Sequence, residues 1–195
     1  MSSLALVSAV APMDGPEERS RVIESAKAGD LAAFEQLIRQ HERLVLITAL
    51  RLLGRLEDAQ DASQEVFLRL YRHLSRVEAA TLAPWLYRVT VNVCHDMRRK
   101  RSAAAGIDDM PELATSDPDP QRLTADAERR RALDLSLRML PEKERAALVL
   151  RDLEGLSTGE VARVLGSSEA TVRSQVSKAR VKIRGFLERY FRRRI

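Results

Sequence analysis

The stretch LSTGEVARVLGSSEATVRSQVSKARVKIR, Leu156 to Arg184, decides the fold. Ser157 and Glu160 stand in the S-x-x-E relation of a capping box, in which each side chain satisfies an unpaired amide at the start of a helix. The helix they open turns Val161, Ala162 and Leu165 inward and lasts about two turns. Gly166 can take the left-handed conformation that ends it, and Ser168 can cap the next helix. Val172, Val176, Ala179 and Ile183 recur at intervals of four, three and four, so they share one face. A short helix, a glycine turn and a longer capped helix make a helix-turn-helix. On the opposite face lie Ser174, Ser177 and Lys178, flanked by Arg173, Arg180 and Arg184. Small polar and cationic residues on an outer face suit a helix that enters a major groove between two rows of phosphates. A charge run alone would read as a solvated helix face. The glycine turn and the two caps beside it favour DNA.

Working outward, the chain has 195 residues, enough for one ordinary domain or two small ones. Only 4% of residues are aromatic, so the core must be built from Leu, Val, Ile and Ala. A net charge of +5 suits a polyanionic partner. Cys94 is the only cysteine, which excludes an intramolecular disulfide and a Cys-rich zinc site and fits a reducing compartment. The opening MSSLALVSAVAPM is too short to span a bilayer and has no basic residue before its apolar run. Residues 1–20 read as a disordered leader.

Upstream of the helix-turn-helix the pattern is helical throughout, with no useful run of period two. Asp30 caps a helix that Gly54 stops, along which Phe34, Leu37, Ile38, Leu44, Val45, Thr48 and Leu52 recur. A second helix, EDAQDASQEVFLRLYRHL, has an inner stripe of Ala59, Ala62, Val66, Leu70 and Leu74. A third starts at Pro84, with Trp85, Val89, Val93 and Met97 on one side. The stretch AAAGIDDMPELATSDPDPQ then carries Gly, Pro and Asp and too little apolar surface to order itself. Beyond it come a helix to Met139, a break at Leu140-Pro141, and a helix to about Arg151. The expected fold is all-α. Two small helical domains, 21–101 and 124–195, are joined by a flexible linker, 102–123, and the C-terminal one contains the helix-turn-helix.

Two segments carry a family resemblance. LPEKERAALVLRDLEGLSTGEVARVLGSSEATVRSQVSKARVKIRGFL resembles the C-terminal DNA-binding domain of bacterial extracytoplasmic-function (ECF) sigma factors. DAQDASQEVFLRLYRHL, followed by PWLYRVTVNVCHDMRRKR, resembles their N-terminal domain. The resemblance implies a subunit that binds core RNA polymerase and directs transcription initiation from particular promoters. It places Asp61, Gln64 and Glu65, with Phe67 and Leu68 near them, on the surface that meets the clamp coiled coil of the polymerase β′ subunit. It places Trp85, Arg88, Asn92, Arg98, Arg99 and Lys100 toward the -10 element, with the loop Ser75–Thr81 helping to hold an extruded base. An Asn92 amide can both donate to and accept from an exposed base edge, and the cations would meet phosphates. The resemblance also implies that Ser168, Thr171, Arg173, Ser174, Ser177, Lys178 and Arg180 face the -35 element and that this domain packs on the β flap. Gln175, where the family often has Arg, lies nearer the apolar stripe and is not assigned to base reading. Many family members are held inactive by an anti-sigma factor, so such a partner is expected beside the polymerase and promoter DNA.

Cys94-His95-Asp96 invites a catalytic reading, but adjacent helical residues diverge by about 100° and cannot form a nucleophile–base pair. The chain is read as a cytoplasmic non-enzyme with no cofactor, no metal site and no membrane insertion. A free-standing helix-turn-helix regulator is the alternative function. It would have no need of DASQEVFL or of a helix for promoter melting.

Overall fold

The computed structural model describes residues 15–105 and 125–192. Eight α-helices order them: α1 Pro16–Lys27, α2 Leu31–Leu53, α3 Leu56–His73, α4 Leu82–Ala105, α5 Ala125–Arg138, α6 Glu142–Leu148, α7 Thr158–Leu165 and α8 Glu169–Arg192. No strand is present among the described residues. Pro16 starts α1 inside the stretch read as leader, because a proline at the first helical position followed by Glu17 and Glu18 suits the positive end of a helix. At the other boundary, α4 runs on to Ala105 past the expected linker start, and the remainder of the linker, 106–123, lies outside the described residues.

Local signals set most helix ends. Asp30 Oδ1 accepts from the amides of Ala32 and Ala33 at 2.9 and 3.2 Å. Gly54 ends α2 at φ +79°, a left-handed conformation that favours glycine. Ser157 and Glu160 form the capping box in full, and Gly166 closes α7 at φ +60°. Ser168 Oγ then accepts from the Thr171 amide at 3.1 Å and starts α8.

Helices α1 to α4 pack as one block. The expected stripe of α3 is buried throughout: Ala59, Ala62, Val66, Leu70 and Leu74. Helix α4 departs from its expected face. Leu86, Thr90 and Val93 are buried, and so are Tyr87 and Cys94 about 100° further round, while Trp85, Val89 and Met97 are only partly covered. The cause is a second neighbour, because α7 packs on the other side of α4 and α5 and α6 pack on α2. The sequence could not show that the two blocks meet.

The helix expected to reach Arg151 stops at Leu148 and continues as one wider turn, Val149–Leu153, closed by Glu154 N to Val149 O at 2.9 Å. Such π-turns insert a residue and re-aim the chain beyond it. Here the turn presents Asp152 to α8 and Glu154 to the first block, through the pairs Asp152–Arg180 and Glu154–Arg51.

Candidate nucleic-acid interface and partner groove

Helices α2 and α3 leave an open groove of about 790 Å³ between their outer faces. Phe34, Ile38 and Leu46 of α2 and Phe67, Leu68 and Tyr71 of α3 give it an apolar lining, rimmed by Glu42, Asp61 and Gln64. Leu68 and Tyr71 remain 51% and 60% exposed, far more than core packing would leave them. The Tyr71 ring meets Phe34 edge-on at 5.3 Å between centroids. Asp61, Gln64, Phe67 and Leu68 thus come together in one groove. Glu65 does not join them, and its carboxylate takes the Arg69 guanidinium at 2.7 Å on its own helix. The sequence reading ran Phe34 and Ile38 together with the rest of the apolar series on α2 and so missed the α2 wall. The signal was there, since Phe34, Ile38, Glu42 and Leu46 recur every four residues as a second stripe.

On α4, Trp85 is half-buried with its ring 6.4 Å from that of His73. The loop before it forms two 3-10 turns pinned by buried Leu74 and Val77, which leaves Ser75, Arg76, Glu78, Ala80 and Thr81 exposed. Arg88 reaches across to the second block and donates to the Arg163 carbonyl at 2.7 Å. Asn92 lines a cleft of about 320 Å³ whose other walls include Glu142, Lys143, Leu165 and Thr171. Arg98 donates to the Leu52 carbonyl at 3.5 Å, while Arg99 and Lys100 are exposed, Arg99 lying 3.6 Å from Asp96.

Ser168, just before α8, and Thr171, Arg173, Ser174, Ser177, Lys178 and Arg180 on it are all exposed; Ser174, Ser177 and Lys178 lie opposite buried Val172, Val176 and Ala179, while Thr171 borders the cleft beside Asn92. Several of them already have partners. Ser168 Oγ and Thr171 Oγ1 are 2.8 Å apart within the cap, and Arg173 pairs with Glu169 at 3.1 Å. Arg180 binds both oxygens of Asp152, at 2.7 and 2.8 Å, and so ties α8 to the π-turn. Gln175 is half-buried and lines the cleft beside Asn92.

This arrangement can be set beside known proteins. Residues 37–104, from α2 through α4, match the family profile for sigma-70 region 2, and residues 130–183 match that for sigma-70 region 4. The chain belongs to the sigma-70 family. Within the family it falls in the ECF branch. It is 33% identical over 184 residues to the ECF RNA polymerase sigma factor SigE of Mycolicibacterium smegmatis, covering 93% of this chain and 72% of that one. It is 37% identical over 176 residues to the ECF RNA polymerase sigma factor SigM of Mycobacterium tuberculosis, covering 87% and 85%. Among solved structures it resembles CnrH in complex with the cytosolic domain of CnrY, with TM-score 0.63, 26% identity, and 87% and 97% of the two chains covered. Both matched regions of this sigma factor coincide with helical blocks, and the groove lies wholly in the region 2 block.

Proposed function

We propose that this chain docks on core RNA polymerase through the groove between α2 and α3 and directs initiation at particular promoters, with α4 toward the -10 element and α8 toward the -35 element. The observation that carries this reading is the groove itself. It is an exposed apolar trough with an acid and amide rim, inside the block that matches sigma-70 region 2. A helix of the β′ clamp with basic flanks would bury Leu68 and Tyr71 and place cations against Asp61 and Glu42. A free-standing regulator would leave this trough without a purpose. The chain acts without catalysis, in the cytoplasm, and no helix among the described residues is long and apolar enough to cross a membrane. The C-terminal block packs on the β flap. An anti-sigma factor is a further partner in this reading, and the similar CnrH is itself seen bound to another protein, the cytosolic domain of CnrY.

The test is charge reversal at Asp61 and Glu65 together. Core-polymerase affinity should fall at least about tenfold, with the circular dichroism spectrum unchanged. Most of the loss should come from Asp61→Arg alone, since Glu65 already spends its carboxylate on Arg69. Parental affinity and parental transcription by the double variant would overturn the docking assignment.

On the DNA side, Arg173→Ala is expected to weaken promoter binding by about 1–3 kcal/mol and to relax the preference at one base pair of the -35 element. A salt-titrated binding series on promoter variants checks it. Even weakening across sequences, with a salt slope smaller by about one, would move Arg173 to a phosphate. Parental binding by both Arg173→Ala and Lys178→Ala would remove this face of α8 from the interface.

A further inference from the structure

Helix α8 is braced on both flanks. Its buried stripe of Val172, Val176 and Ala179 packs on α6 and α7. At about 100° per residue, Arg180 and Lys182 leave α8 on opposite sides of that stripe. On one side the Arg180 guanidinium donates from Nε and Nη2 to the two oxygens of Asp152, at 2.8 and 2.7 Å. On the other, the Lys182 ammonium donates to both oxygens of Glu144, at 2.8 Å each. The acids are the better-covered partners. The side chains of Asp152 and Glu144 are 24% and 13% exposed, against 59% and 49% for Arg180 and Lys182. The π-turn, Val149–Leu153, presents Asp152 to α8 from a base of buried Val149 and Leu150.

An arginine held by two bonds in this way is badly placed to meet a phosphate. To reach one, the Arg180 guanidinium would have to give up both bonds and leave a largely covered carboxylate without its partner. That carboxylate would then face a polyanion. Lys178 and Arg184 are exposed on the same helix and carry no such penalty. An apolar stripe alone lets a helix rock about its axis, because hydrophobic contact is not directional. Two ion pairs on opposite flanks, one of them planar and two-bonded, remove that freedom.

We propose that Asp152 is a positioning residue for promoter reading: acting through Arg180, it fixes the rotation of α8 that aims Arg173, Ser174, Ser177 and Lys178 at the -35 element. Arg180 thereby leaves the set of expected DNA contacts and becomes the strut. This role rests on the α8 reading proposed above.

The sign of one substitution tests it. The parent holoenzyme, the full chain on core polymerase, selects a duplex from a random pool, and the second probe is that duplex with its -35 element scrambled. Asp152→Asn removes a negative charge beside the DNA. Were Arg180 a phosphate contact that Asp152 merely neutralises, the change would free the cation and tighten binding to both probes. A strut predicts the opposite. Asp152→Asn should weaken binding to the selected duplex about tenfold, the size of one good base contact, and leave the scrambled duplex bound no more weakly than by the parent. Arg180→Ala should lose the same preference with the salt slope unchanged, whereas loss of a phosphate contact would lower that slope by about one. The swapped pair Asp152→Arg with Arg180→Asp should return most of the preference. No phosphate role allows that, since the swap puts a carboxylate on α8.

Tighter binding by Asp152→Asn, an Arg180→Ala slope smaller by about one, or a swap no better than the single variants overturns the strut. So does an equal loss on both duplexes, because a variant that merely unfolds loses affinity without losing preference. Arg173→Ala and Lys178→Ala are measured on the same two probes. Parental binding by both would remove the α8 reading itself. Loss of preference by these two, with parental behaviour of Asp152→Asn, would overturn the strut and leave that reading intact.

Discussion

Arg145→Ala is expected to lower the unfolding free energy by about 3–5 kcal/mol, a large fraction of the roughly 5–15 kcal/mol that holds a domain folded. Arg145 is 3% exposed. Its guanidinium serves four backbone carbonyls: Leu137 at 2.7 Å, Arg138 and Leu140 at 2.9 Å each, and Leu52 at 2.7 Å. Three of these close the end of α5 and its turn, and the fourth closes α2. Burial, and then the nearby Arg98, lower its pKa to about 10, so it stays charged at neutral pH. Alanine would orphan four acceptors at once, each worth about 1–3 kcal/mol if dry, with entering water recovering part of the loss. Arg145→Lys should recover only some of it, since an ammonium has three donors and no planar fork. Urea unfolding of the full chain followed by circular dichroism measures both. A shift below about 1 kcal/mol for alanine would show that the carbonyls find other partners.

Val176→Asp is expected to unfold the second block, at a cost of about 4 kcal/mol or more. Val176 is 6% exposed between Val172 and Ala179, on the face of α8 that packs against α6 and α7. A carboxylate there would have no paired cation. Ser177→Asp, one residue on and exposed, should change stability by less than about 0.5 kcal/mol while abolishing promoter binding through repulsion of phosphate. Thermal melts of the two variants, with DNA binding as a second readout, separate the inner face from the outer. Equal melting of both with the parent would mean that the stripe does not carry the domain.

The sequence alone determined what is settled within a turn or two of helix. The capping box at Ser157 and Glu160, the glycine ends at Gly54 and Gly166, the caps at Asp30 and Ser168, and the buried stripes of α3 and α8 all depend on neighbours three or four residues away. Spacing encodes such neighbours directly. The outward face of α8 was legible for the same reason, and the resemblance to ECF sigma factors rested on residues within those helices. Tertiary structure decided what depends on partners far along the chain. The groove draws its second wall from Phe34, Ile38 and Leu46 on another helix. The second buried face of α4, with Tyr87 and Cys94, exists because the second block lies against it, through α7, Glu154 and the start of α6. Arg145 is one arginine among many in the sequence, and only folding shows it among carbonyls up to 93 residues away. Arg51 and Glu154 likewise meet across 103 residues. Periodicity reports which face of a helix is apolar, but not which helix will cover it or which of many charges will find a buried partner.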